Sequence, residues 1–166
     1  MALRTRRYYK HRMPNQFDAI DRKILSALQR NGRIQNADLA EMVGLSPSPC
    51  LRRVRNLETR GVIAGYVAKI DPLALGRPLT IYTRVTLDRQ DKSGVESFAS
   101  AMVAVPEVLE CYLMAGTYDY LLKVAVSDLD DYQRFQMKHL TPLPGVRHVV
   151  TEIPLKAIKA TTMLPI

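Results

Sequence analysis

The sequence predicts an α+β protein of two units: a small helix-turn-helix, then a unit in the order strand, helix, strand, strand, helix, strand. Three observations carry that prediction. Apolar residues between Ile20 and Leu57 recur at helical spacing and are punctuated by Asn31-Gly32 and Gly44. From Leu79 onward, alternating segments trade places with helical ones, and Gly116-Thr117-Tyr118-Asp119 separates two adjacent strand candidates. The charge divides along the same line, since residues 1–66 hold 13 Lys+Arg against 5 Asp+Glu, the whole of the net +8, while residues 67–166 balance 11 against 11.

The 166 residues are 47% hydrophobic and 24% charged, a globular composition with room for one medium domain or two small ones. Disorder of the whole chain is excluded. No apolar run reaches the roughly 18 residues that a membrane helix needs. Arg4, Arg6, Arg7, Lys10 and Arg12 stand where a secretory signal would need an apolar core. A soluble, cytoplasmic protein is expected. Cys50 and Cys111 lie far apart without a ligand pattern, so neither a disulfide framework nor a zinc site is expected.

Residues 1–15 read as a basic flexible arm containing Tyr8 and Tyr9, either a tail that touches phosphates or a merely solvated one with Met13 available as a start. Residues 16–66 form the helical unit. Ile20, Ile24, Leu25 and Leu28 give a first helix; Asn36 caps a second, short helix carrying Leu39, Ala40 and Val43 that Gly44 ends. Ser46 caps a third, with Pro47 at its first position, Leu51, Val54 and Leu57 facing inward, and Arg60-Gly61 closing it. Val62 to Val67 reads as a strand or small wing.

The third helix carries the chemistry. Ser46, Ser48 and Pro49 sit at its start, where free amides and the positive dipole end suit phosphate or base edges. Arg52, Arg53 and Arg55 follow, and an arginine fork pairs bidentately with guanine or phosphate. With the basic excess confined to this part of the chain, double-stranded DNA is the expected partner, the alternative being a solvated basic helix face.

After a linker at residues 67–78, the unit at residues 79–166 opens with a strand, Leu79 to Leu87. Val95, Phe98, Ala99, Met102 and Val103 form a helix, and Val108 to Ala115 with Tyr120 to Val126 a hairpin. Asp128 caps a helix through Leu140 that Pro142-Leu143-Pro144-Gly145 breaks, and Val146 starts a last strand. This is the ferredoxin-like order. One sheet face carries helices, and the other is expected to be apolar and to need a partner.

Asp21-Arg22-Lys23-Ile24-Leu25, Gly44-Leu45-Ser46-Pro47-Ser48-Pro49-Cys50 with Arg53-Val54-Arg55, and Gly61-Val62-Ile63 resemble the DNA-binding half of the leucine-responsive and asparagine-responsive (Lrp/AsnC, feast/famine) transcription regulators. Glu110 to Gly116, Asp119-Tyr120-Leu121-Leu122 and Leu143-Pro144-Gly145-Val146 resemble the same family's effector half. The resemblance covers residue 17 to about residue 160 in the same order. The closing Thr161-Thr162-Met163-Leu164-Pro165-Ile166 is most similar to the branched-chain amino-acid catabolic members.

The resemblance implies a winged helix-turn-helix, dimers that associate into octamers or related rings, and a small amino acid, such as a branched-chain one, as effector, with no cofactor. It places the effector at Gly116, Thr117, Tyr118, Asp119 and Tyr120, with Thr151 and Ile153 on the last strand. Asp119 would face the ammonium, and backbone amides near Gly116 the carboxylate. Gly and Asp are also ordinary turn formers. An enzyme is not expected, because His11, His139 and His148 belong to no nucleophile, metal or phosphate-loop pattern and Asp128, Asp130 and Asp131 suit a helix's first turn. An architectural DNA-compacting protein without an effector is the alternative function.

Overall fold

The computed structural model describes residues 17–166, so the basic arm and the domain start at residue 16 lie outside the described residues. The chain divides into two compact units: residues up to Ala68 together with Thr161–Ile166, and residues Lys69–Ala160. The closing hexapeptide therefore joins the helical unit, where the sequence placed it in the α+β unit.

In the helical unit, α1 (Ala19–Arg30), α2 (Asn36–Val43) and α3 (Pro47–Thr59) close over Ile24, Ala27, Leu39, Ala40, Val43, Cys50, Val54 and Leu57. Asp18 starts α1, its carboxylate accepting the Asp21 amide at 2.8 Å. That satisfies one of the four amides that a helix start leaves unpaired. Asn36 is not the cap expected of it. Gln35 holds that position, and the Asn36 side chain instead donates to the Pro47 carbonyl at 2.8 Å, tying α2 to the start of α3. Gly44 ends α2 at φ +75°, a left-handed conformation costly for other residues, and lets the Leu45 amide reach back to Ala40.

The segment after α3 forms no strand. The Val62 and Ile63 amides both bond the Leu57 carbonyl, and their half-buried side chains pack on the helical core. The apolar pattern there serves helix closure, and the backbone finds no partner strand among the described residues.

The second unit is one antiparallel sheet of β1 (Leu79–Leu87), β2 (Val108–Leu113), β3 (Tyr120–Val126) and β4 (Val146–Glu152), ordered β2-β3-β1-β4. Helices α4 (Lys92–Val103) and α5 (Leu129–Phe135) fill the two connections of the predicted order. Alternate β1 residues Ile81, Val85 and Leu87 meet Phe98, Met102, Tyr132, Phe135 and Leu140 in the core. Asp128 caps α5 as expected, its carboxylate accepting the Asp131 amide at 2.7 Å. One boundary differs, and one helix changes type before its predicted end at Leu140. β2 stops at Leu113 rather than Ala115, and the last helix continues beyond Phe135 as a π-helical turn, Gln136–Leu140.

The outer sheet face is mixed rather than wholly apolar, with Leu121 and Val150 set among polar and charged residues. Tyr82, Arg84, Lys123, Glu110 and Tyr112 occupy it, and Lys123 Nζ lies 2.9 Å from Glu110 Oε1. Burial pushes the Glu110 carboxyl up, yet hydrogen bonds from Tyr112 and Lys123 outweigh it and hold the group below its ordinary value. Polar strand residues that pair with each other in this way can sit half-buried beside the apolar ones.

Candidate DNA interface and effector site

Helix α3 stands at the helical unit's surface because Cys50, Val54 and Leu57 turn inward at helical spacing, leaving Arg52 and Arg55 exposed on the other side. At its start, Ser46 and Ser48 are exposed and Pro49 is half-buried. The Ser46 side chain makes no capping bond to the helix. Hydroxyls, helix-start amides and two solvated guanidiniums thus lie along one edge, a combination that recognises phosphates and base edges.

Arg53 faces elsewhere. Its Nη1 donates to Asp18 Oδ2 at 2.7 Å and to Asp21 Oδ1 at 2.8 Å, so the guanidinium clamps α3 to the start of α1. The sequence grouped Arg53 with Arg52 and Arg55, but one residue along a helix is a 100° turn. That turn carries Arg53 from the open edge to the boundary with α1.

The Gly116 to Asp119 turn joins β2 to β3. The Met114 amide bonds the Asp119 carbonyl at 2.8 Å, closing the turn. Gly116 and Thr117 are exposed and Tyr118 is half-buried. Asp119 is buried, its Oδ2 accepting the Leu87 amide at 2.7 Å. The carboxylate expected to face an ammonium thus carries an inward structural bond through Oδ2. Tyr120 likewise belongs to the core. Its ring lies 4.5 Å from that of Phe98, its hydroxyl donates to the Val95 carbonyl at 2.7 Å, and burial raises its pKa to about 12.

On β4, Thr151 pairs with Thr83, which puts both side chains on the helix-covered face. Thr151 Oγ1 lies 2.9 Å from the Tyr132 hydroxyl and 3.2 Å from Gln136 Nε2, while Thr83 Oγ1 lies 2.8 Å from the same Tyr132 hydroxyl. Ile153 follows the end of β4 and is exposed. Strand alternation thus splits the expected effector residues: Thr151, itself exposed, bonds the Tyr132 network from the helix-covered side, whereas Tyr118 packs on the opposite face.

The sequence did not single out Arg84. Its guanidinium lies 5.3 Å from the centre of the Tyr118 ring, and Nη2 pairs with Glu152 at 2.7 Å. Nε is buried with no hydrogen-bond partner among the described residues. A charge at an even position of an otherwise apolar and threonine-rich strand was the available signal. Among the described residues no group of His, Cys, Asp and Glu could hold a metal ion, and no helix is long and apolar enough to cross a membrane.

Comparison with known proteins sets this geometry in context. Residues 17–64 match a winged helix-turn-helix DNA-binding family, and residues 80–164 match the Lrp/AsnC ligand binding domain. The leucine-responsive regulatory protein of Haemophilus influenzae is 46% identical over 147 residues, 89% of this chain and 89% of that one. Its counterpart in Escherichia coli (strain K12) is 41% identical over 157 residues, 95% and 96% of the two chains. A transcriptional regulator of Neisseria meningitidis, solved in complex with L-Met, superposes with a TM-score of 0.86 at 40% identity, covering 90% of this chain and 96% of that one. AsnC of Escherichia coli gives 0.79 at 27% identity, covering 90% and 99%.

Proposed function

The chain belongs to the Lrp/AsnC family of transcriptional regulators, and from that premise we propose how its residues divide the work. It is a DNA-binding regulator that responds to an amino acid. The observation that carries our assignment of the DNA surface is the open edge of α3, where Ser46, Ser48, Arg52 and Arg55 are all exposed. Ser46 and Ser48, with the backbone at Pro49, bond phosphates, and Arg52 and Arg55 reach base edges or phosphates of double-stranded DNA in the major groove. Arg53 sets the angle between α3 and α1 and contributes to binding through that role.

The effector occupies the turn at Gly116, Thr117 and Tyr118. Its carboxylate takes backbone amides there, Asp119 shapes the turn from beneath, and Arg84 holds the Tyr118 ring in place through its cation–π contact. The effector is a small apolar amino acid, a branched-chain one or methionine, in keeping with the names of the leucine-responsive relatives and the L-Met complex of the Neisseria regulator. Residues Tyr82, Leu121 and Val150 supply apolar area on the outer sheet face for dimers, with octamers built from them. The protein works in the cytoplasm, where its DNA is.

An architectural protein would share the DNA surface and lack the effector. Calorimetric titration of the full chain with leucine, isoleucine, valine, methionine and asparagine separates the two. Heat of binding from at least one apolar amino acid is expected, and no heat across the set contradicts the effector assignment.

A further inference from the structure

β4 ends at Glu152, and the chain that follows is exposed, with Leu155 at 101% and Ile158 at 86% of full accessibility. Residues 161–166 then become part of the helical unit. The contact that seats them is specific to the backbone. Gln29, on α1, accepts the Leu164 amide through Oε1 at 2.6 Å and donates from Nε2 to the Leu164 carbonyl at 3.1 Å. A primary amide carries one acceptor and two donors, so it engages both polar groups of one extended residue much as a neighbouring strand would. Thr161 Oγ1 accepts the Met163 amide at 3.1 Å, fixing the chain just before the seat. Beside it lies a cavity of about 530 Å³ walled by Phe17, Leu25, Leu28 and Tyr66 on one side and by Leu164 and Ile166 on the other. None of the residues lining it belongs to α3.

We propose that residues 161–166 are a strap that gives the DNA-binding unit a second attachment to the effector unit, covalent at the effector end and held by hydrogen bonds to Gln29 at the other. The connector after Tyr66 is the first attachment, and Ala64, Gly65 and Tyr66 line the same cavity as Leu164. A unit held by one exposed connector samples many orientations. Closing the chain on itself at the Gln29 seat removes most of them. Because the seat leaves α3 open, the strap does not compete with DNA. It acts instead on how two DNA-binding units of an oligomer share two half-sites, a matter of effective concentration rather than of contact.

The strap rests on the Gln29 geometry and not on the effector assignment, so its test reads the strap without an effector. Hydrogen exchange of the Leu164 amide is measured in the full chain and in Gln29→Leu, which keeps the side chain's bulk and removes both bonds. Trypsin cleavage after Lys69, in the connector, is followed in the same two proteins and in a chain ending at residue 160. Protection of Leu164 by about tenfold or more in the unaltered chain, lost in Gln29→Leu, is expected. Faster connector cleavage in both variants is expected too, with unchanged affinity for a duplex bearing a single half-site. An unprotected Leu164 amide, or protection that survives Gln29→Leu, overturns the strap. So does a loss of single-site affinity on removing residues 161–166, which would make them part of the DNA surface. Mixing Gln29→Leu chains with chains ending at residue 160 gives a third reading: protection regained in the mixture means that the segment seats on a second copy, which overturns a strap within one chain.

Discussion

The Asp119 carboxylate accepts the amide hydrogen of Leu87 at 2.7 Å, joining the start of β3 to the last residue of β1 beneath the Gly116 to Asp119 turn. The neighbouring backbone makes the link reciprocal, since the Asp119 amide donates to the Val85 carbonyl at 2.9 Å. The turn proposed to hold the effector is therefore anchored to the central strand by the residue that the sequence marked as a ligand contact. A carboxylate held this way preorganises the exposed amides above it.

Replacing Asp119 tests that role. Asp119→Asn keeps an acceptor oxygen for Leu87 and is expected to fold with little change. Asp119→Ala leaves a buried amide unpaired and is expected to cost about 1–3 kcal/mol, read as a lower Tm in calorimetry. Equal losses from the two variants would assign the effect to charge rather than to the hydrogen bond. Ligand binding retained in Asp119→Asn is expected if Asp119 acts only through the Leu87 bond, whereas its loss would return the carboxylate to the ammonium.

Arg52, Arg53 and Arg55 should separate in DNA binding. Arg52→Ala or Arg55→Ala is expected to weaken a specific site by about 1–3 kcal/mol if the side chain reaches a base, or to lower the salt slope by about one if it reaches a phosphate. Neither should change thermal stability. Arg53→Ala should lower stability by about 1 kcal/mol, a figure kept small because its side chain is one-third exposed. Fluorescence anisotropy across a salt series, beside a melting curve for each variant, checks both halves. Arg53→Ala with full stability and a base-specific loss would return it to the reading surface.

The same clamp makes the helical unit sensitive to acid. The Asp21 amide, and after it the Arg53 guanidinium, hold the Asp18 carboxyl below its ordinary value of 3.8. A carboxyl whose folded value is depressed adds stability that is complete above the unfolded value and is lost as pH falls through the folded one. The helical unit should therefore lose stability below about pH 3.8, and Asp18→Asn should flatten that dependence. Helical circular dichroism at 222 nm, followed through an acid titration of both proteins, checks it.

Tyr132 lets the polar network under the helices be tested apart from the turn. Thr83 is fully buried and bonds the Tyr132 hydroxyl, which also reaches Thr151. Tyr132→Phe should cost about 1–2 kcal/mol, because the Thr83 hydroxyl then has no partner. Effector binding should not change, since Thr151 faces the network and not the turn. A stable variant that has lost the effector would place the site under the helices instead.

The order of elements was legible because both periods were clean: Ile20 to Leu28 repeats as a helix, Leu79 to Leu87 alternates, and Gly44 marks a turn that needs a left-handed residue. What the sequence concealed was direction. Arg52, Arg53 and Arg55 look equivalent in a string, yet the helical turn sends one of them to a carboxylate pair. Asp119 suits both a ligand contact and a turn anchor, and the bond to the Leu87 amide becomes visible only in the structure. The apolar run from Val62 to Val67 looked like a strand because β-branched residues suit strands, whereas Val62 and Ile63 are bound locally to the end of α3. Arg84 went unnoticed because its partners, Tyr118 and Glu152, are distant in sequence and near only through the sheet register.

The central claim is that an amino acid bound in the second domain alters DNA binding by the first. It is tested most directly by measuring the affinity of the full chain for a duplex carrying a pseudo-palindromic site, at fixed salt, with and without saturating leucine, isoleucine, valine or methionine. At least one of these is expected to shift the binding midpoint by about 5- to 150-fold, the range of ordinary allosteric coupling. A midpoint that none of them moves, on DNA that the protein binds specifically, would contradict it.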